Sequence, residues 1–291
     1  MNNPETGATG VWRFWPLRLV LFFLVLVALY AGAQVMMMLL PKALPGISPQ
    51  AIGVGAALAG CLAILAAYRL LVRWTERRRA DELSALQAIP QLLGGTAIGF
   101  VLFAAVYAVL FALGAVSFHG WNGAQGLAIA AATSLLAGVG EEAIFRGAVY
   151  RLFENGFGTF AAIVFSGALF GLIHAANKGA TPESTAAIAL EAGILLAAAY
   201  LVTRSLWLPI GLHFGWNFTE GGIFGAAVSG GQSHGLVNAT LSGPQLITGG
   251  AFGPEASIPA VSVCLVAAIV MLTIAAQRGE WRALAFRLRA S

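Results

Sequence analysis

The chain has 291 residues, of which 59% are hydrophobic and only 10% charged, against roughly 45–50% and about 25% in a soluble domain. That balance excludes an ordinary soluble protein and puts most of the chain in lipid, where only helices and closed barrels satisfy their backbone polar groups. A net charge of +4, from 16 Lys and Arg against 12 Asp and Glu, is too sparse for a nucleic-acid partner.

Apolar runs of about 20 residues without period-two alternation select helices over barrel strands. Eight spans are predicted, at 19–40, 51–72, 92–113, 127–150, 160–176, 184–202, 206–224 and 258–276. The first exceeds the core of a signal peptide and reads as an uncleaved span. Between spans two and three, Arg77, Arg78, Arg79, Asp81 and Glu82 mix with Leu83, Leu86 and Ile89 at helical spacing, so 74–91 reads as a short interfacial helix. Residues 225–257, rich in Gly and Ser and without Lys or Arg, read as a mostly irregular outer loop. The basic tail 278–291 reads as amphipathic and lying on an anionic leaflet. Trp12, Trp15, Trp74, Trp207 and Trp281 fall near one set of span ends and Trp121 near the other, as in an interfacial belt.

Eight spans put all fourteen arginines on one side and Lys42 and Lys178 on the other. By the positive-inside rule both termini are then cytoplasmic in a cell membrane. Cys61 and Cys264 sit in apolar runs with neither Cys-x-x-Cys nor Cys/His spacing, so no disulfide framework or zinc cluster is indicated. The expected fold class is all-α, a single integral membrane domain over 1–291 whose helices enclose a polar cavity.

Ionisable groups at bilayer depth cost at least about 2.5–3.5 kcal/mol each, which makes each a functional candidate. They cluster here: Glu141, Glu142 and Arg146 on span four, His174 on span five, Glu191 on span six, and His213, Asn217 and Glu220 on span seven. Spans four and five form a hairpin whose natural turn is at Asn155 to Gly158, and a turn centred there places His174 level with Glu141. At 1.5 Å per residue, His213 and Asn217 stand about 13 and 19 Å above the next turn, near Arg204 and Ser205. All four share one layer.

Helix phase then divides the roles. Glu142 and Arg146 are i and i+4 and neutralise each other, a structural pair, while Glu141 is rotated about 100° away and is free for chemistry. His213 and Asn217, also i and i+4, offer two donors to one oxygen, the requirement of a developing oxyanion. A carboxylate beside an imidazole can hold and deprotonate water. No Ser or Cys is placed with a His base in this layer, though Ser166 lies two turns below His174. Glu141, His174 and His213 could instead supply three zinc ligands, but His-Glu-x-x-His is absent, so no metal and no cofactor are expected.

These residues fall in three motifs: Glu141-Glu142-x-x-x-Arg146, Phe170-x-x-x-His174, and His213-x-x-x-Asn217 with its lead-in from Ser205. Together they resemble the CAAX protease and bacteriocin-processing family of intramembrane glutamic endopeptidases, over a motif-bearing core at 127–218. The resemblance implies an eight-helix fold with a polar cavity and cleavage of a peptide bond, near the substrate's C-terminal end, by activated water. In that scheme Glu141 and His174 activate the water, His213 and Asn217 form the oxyanion pocket, and Glu142 with Arg146 holds the motif helix. The expected partners are a peptide or membrane-protein substrate and membrane lipids. Glu191, Glu220 and the 225–257 loop stand outside the motifs. Two other classes compete: a non-proteolytic adaptor or immunity protein binding through the same cavity, and a proton-coupled transporter, which the lack of visible repeats disfavours.

Overall fold

The computed structural model describes residues 7–288. Its helices in chain order are α1 (Trp15–Ala43), α2 (Pro49–Leu71), α3 (Ala85–Ala112), α4 (Leu127–Glu142), α5 (Arg151–Phe157), α6 (Thr159–His174), α7 (Pro182–Ile188), α8 (Ile194–Thr203), α9 (Trp207–Asn217), α10 (Gln245–Thr248) and α11 (Ile258–Gln277). Four π-helical stretches lengthen or join them: Val72–Glu76 after α2, Ala143–Tyr150 between α4 and α5, Ala189–Gly193 between α7 and α8, and Phe218–Ile223 after α9. Among the described residues a helical rod stands at each of the eight predicted positions, in an all-α polytopic membrane fold. Six of the rods are long and apolar enough to cross a bilayer. The α6 rod has 16 residues, and α9 with its π extension falls short of the same test.

The expected helix at 74–91 does not form. Arg77 takes a left-handed backbone (φ 51°), a single 3-10 turn follows at Asp81–Leu83, and α3 starts at Ala85. The charges explain the break. Arg78 bonds Glu82 twice, at 2.8 and 2.9 Å, and Glu76 at 2.7 Å, while Arg151 reaches Glu76 at 2.7 and 2.8 Å. A straight helix would still bring Arg78 to Glu82, i and i+4, but would turn Glu76 and Arg78, i and i+2, away from each other. Arg18 adds to the same buried cluster, 3.8 Å from Glu76. At the neighbouring helix ends Arg204 pairs with Glu154 and Glu280, and Arg282 with Glu154.

The described part of the tail, 281–288, has no regular secondary structure. It runs back past the α5–α6 turn, where Arg287 N donates to Gly156 O at 2.9 Å and its carbonyl accepts from Trp15 Nε1 at 2.7 Å. Arg289 and the rest of 289–291 lie outside the described residues. Trp15 and Trp207 are buried packing residues, in contrast to the expected belt, whereas Trp74 and Trp121 are exposed. The 225–257 loop carries more order than its composition suggests. Its strand β2 (Val237–Leu241) pairs antiparallel with β1 (Val116–Trp121), which the sequence reading missed.

Two close helix contacts position the site. α3 and α9 meet backbone to backbone: a Cβ on Gly95 or Gly99 would collide with the carbonyls of Leu208 or Leu212, and one on Gly211 or Gly215 with those of Leu92 or Thr96. This reciprocal pair of small-xxx-small stripes suits lipid, where close van der Waals approach replaces the hydrophobic drive. Gly167 and Gly171 on α6 likewise admit the 182–193 rod.

Candidate active site

The α6 height match depends on Gly158, whose φ of +85° makes a one-residue turn between α5 and α6. The turn folds α6 back along the α4–α5 rod and brings His174 to Glu141, with Nε2 3.8 Å from Oε2. Gly138 meanwhile lets α4 approach the Ile210 carbonyl of α9, and His213 Nε2 comes to 4.0 Å from the same Glu141 oxygen. Oε2 is therefore faced by two imidazole nitrogens, each just beyond direct hydrogen-bond length.

Both imidazoles are held from behind. His174 Nδ1 bonds the Phe170 carbonyl at 2.7 Å, which makes Nδ1 the donor and leaves the Nε2 lone pair toward Glu141. His213 Nδ1 donates to Glu142 Oε1 at 2.9 Å. That same oxygen accepts from Arg146 Nη1 at 3.0 Å, and both side chains of the Glu142–Arg146 pair are wholly buried. Arg146 Nη2 in turn donates to the carbonyls of Ala192 and Gly193 at 2.9 and 3.1 Å. Those acceptors belong to the end of a π stretch, where the widened turn frees carbonyls from the α ladder. The guanidinium also lies over the Phe170 ring, 4.8 Å from its centroid. Glu142 is thus both the partner of Arg146 and the orienting group of His213.

Glu141 Oε1 accepts from Tyr30 of α1 at 2.9 Å. Glu141, His174, Asn217 and Tyr30 line a cavity of about 720 Å³, whose other walls include Phe23 and Val27 of α1, Phe145, Lys178 of the α6–α7 connection, and Ser229 of the outer loop. A smaller adjoining space of about 20 Å³ is lined by His174, His213, Asn217, Glu191, Ser229 and Glu255, a volume of the order one water fills. Of the two unassigned acids, Glu191 borders this smaller space, and Glu220 is wholly buried, its Oε1 accepting from Glu255 N at 3.4 Å. Ser166 donates to its own helix at the Ile163 carbonyl. Among the described residues, no three His, Cys, Asp or Glu side chains are grouped as ligands of one ion.

The structure therefore brings Glu141, His174 and Asn217 to the wall of the larger cavity, sets His213 with His174 and Asn217 on the smaller space beside it, and places Glu142 and Arg146 behind them. Sequence reasoning missed three residues at the site. Tyr30 gave no signal, being one aromatic in an apolar run. Glu255 and Ser229 lie in the loop set aside as irregular, although Glu255 is its only acid. Glu255 Oε1 accepts from Ser229 N and Oγ at 2.7 and 2.8 Å, which ties the loop down over the site.

Residues 121–219 match a family model described as type II CAAX prenyl endopeptidase Rce1-like. No curated protein and no solved structure matches the chain. The matched segment contains all three motifs and every catalytic candidate named from the sequence, and leaves out α1, α2, α3 and α11. Over this segment the chain is similar to a family of membrane proteases, which bears out the resemblance to the CAAX protease and bacteriocin-processing family read from the motifs.

Proposed function

We propose that the protein is an intramembrane endopeptidase in which Glu141 and His174 activate a water against a peptide carbonyl. The observation that carries this reading is the convergence of one carboxylate oxygen and two imidazole nitrogens at 3.8 and 4.0 Å, with Glu141 and His174 on the wall of a cavity of about 720 Å³ and His213 on the small space beside it. A water between Glu141 Oε2 and His174 Nε2 can donate one hydrogen to each, which leaves its lone pairs free to meet a carbonyl carbon in the cavity. Glu141 takes a proton as the water oxygen bonds to the carbonyl carbon. The carbonyl π electrons move onto oxygen and are met by the Asn217 amide and His213 Nε2–H. With Nδ1 donating to Glu142, Nε2 can donate as well only when the ring carries both protons. Collapse of the tetrahedral carbon breaks the C–N bond, and Glu141 returns its proton to the leaving nitrogen.

The substrate is a peptide or membrane-protein segment entering among lipids. The termini and the Arg77 to Arg79 turn face the cytoplasm, with 225–257 on the opposite side. Detergent-purified protein incubated with a peptide library and read by mass spectrometry tests the activity. Cleavage by wild type, unaffected by chelators and lost in Glu141→Gln, supports the reading. Peptide binding without cleavage would favour the adaptor. Stoichiometric zinc lost together with activity would replace water activation by a metal mechanism.

A further inference from the structure

The catalytic candidates all lie within the matched segment, yet one oxygen of Glu141 is held from outside it. Tyr30 belongs to α1, and its hydroxyl donates to Glu141 Oε1 at 2.9 Å. A second observation shows that the place is built for this side chain. Gly140, immediately before the two glutamates, would with a Cβ stand 2.5 Å from Tyr30 Cδ2 and 2.9 Å from Cγ. The missing side chain at Gly140 is the slot in which the tyrosine ring lies. The rest of α1 supports the approach: it runs along the π stretch Ala143–Tyr150, and Phe23 and Val27 continue its face into the cavity wall.

A glutamate carboxylate turns about its last side-chain torsion, which is broad and two-fold. Glu141 could therefore present either oxygen, or neither, to the imidazoles. A donor on Oε1 removes that freedom and leaves Oε2 as the oxygen facing His174 and His213. We infer that Tyr30 is a positioning residue of the site, aiming Glu141 Oε2 at the water it activates, so that the catalytic constellation is completed by α1. This rests on the reading of Glu141 as the base.

Tyr30→Phe keeps the ring in the Gly140 slot and removes only the donor. Its Tm should fall by no more than about 3–12 °C, the worth of one hydrogen bond to a charged group, so the variant stays folded at assay temperature. The loss of one hydrogen bond to a charged group should lower kcat about 10- to 100-fold, with KM changed less than about twofold because the hydroxyl meets the base and not the substrate. Gly140→Ala approaches the same bond from the other side, by pushing the ring away while the hydroxyl remains. The double variant should then be no slower than the worse single one, because the two changes break one interaction. An infrared signature is independent of turnover: the carboxylate stretch missing from Glu141→Gln should move in Tyr30→Phe. An unmoved band, an unchanged kcat, a rise in KM alone, or additive losses in the double variant would each overturn the inference. Failure of the protease reading shows separately, as wild-type protein that cuts nothing.

Discussion

Glu142→Gln separates the structural from the orienting role of the second glutamate. Glu142 Oε1 receives Arg146 Nη1 at 3.0 Å and His213 Nδ1 at 2.9 Å, and neither member of the Glu142–Arg146 pair reaches solvent. The amide keeps an acceptor but loses the charge, leaving a buried guanidinium bonded only by neutral acceptors, the amide and the carbonyls of Ala192 and Gly193. Breaking a buried pair from one side costs about 3–5 kcal/mol. At about 2–4 °C per kcal/mol, Tm should fall by about 6–20 °C. Glu142→Gln combined with Arg146→Met removes the stranded charge and should recover part of this. Recovery is incomplete because the two carbonyls lose their donor, at about 1–3 kcal/mol for each group left unsatisfied. Turnover should not recover with stability, since His213 Nδ1 still faces an amide where it had a carboxylate. Thermal unfolding and single-turnover cleavage on wild type, both single variants and the double decide the matter. A Glu142→Gln protein as stable as wild type, or a double variant regaining full activity, would refute the reasoning. A stable, inactive Glu142→Gln beside an active Glu141→Gln would exchange the two roles.

Glu82, in the turn between α2 and α3, gives a pH signature. Its burial opposes the charge, but the bonds from Arg78 and the field of Arg151 outweigh it and hold the carboxyl at about 2, below its ordinary 4.5. A carboxyl depressed in the folded state contributes fully above its unfolded value and loses that contribution as pH falls toward 2. Between pH 6 and pH 3 wild type should therefore lose more Tm than Glu82→Gln, and equal losses would count against the network. For sidedness, a cysteine at exposed Ser242 should react with an impermeant reagent in intact cells and one at Ser84 should not, with Cys61 and Cys264 buried and silent. The reverse pattern would invert the topology.

The sequence carried the rods and the heights because both rest on local signals. Apolar length located the eight rods, and a turn expected at 155–158, which the structure narrows to Gly158 alone, was enough to bring Glu141 level with His174. What it could not carry were contacts between distant segments. Tyr30 and Glu141 are 111 residues apart, and β1 meets β2 across a similar gap, so no local period reveals either. The arginine count also conceals a division of labour. Arg18, Arg78, Arg151, Arg204 and Arg282 were counted as marks of the cytoplasmic side, yet each is engaged with Glu76, Glu82, Glu154 or Glu280. The same pairing explains the failed helix at 74–91. Its amphipathic spacing was real, but ion pairs to other helices outweighed a preference worth a few tenths of a kcal/mol per residue.

The α3–α9 contact bears on which part of this chain could be treated as a portable unit. The two helices touch through their main chains at Gly95, Gly99, Gly211 and Gly215, with no side chain between them to adjust. His213 and Asn217 therefore ride on a beam whose other half, α3, ends well before residue 121, where the family match begins. Grafting 121–219 onto another scaffold would carry across all the motif residues and leave their backing behind. The chemistry is written in one third of the chain, but the surface that sets its register is written in the part that no motif marks.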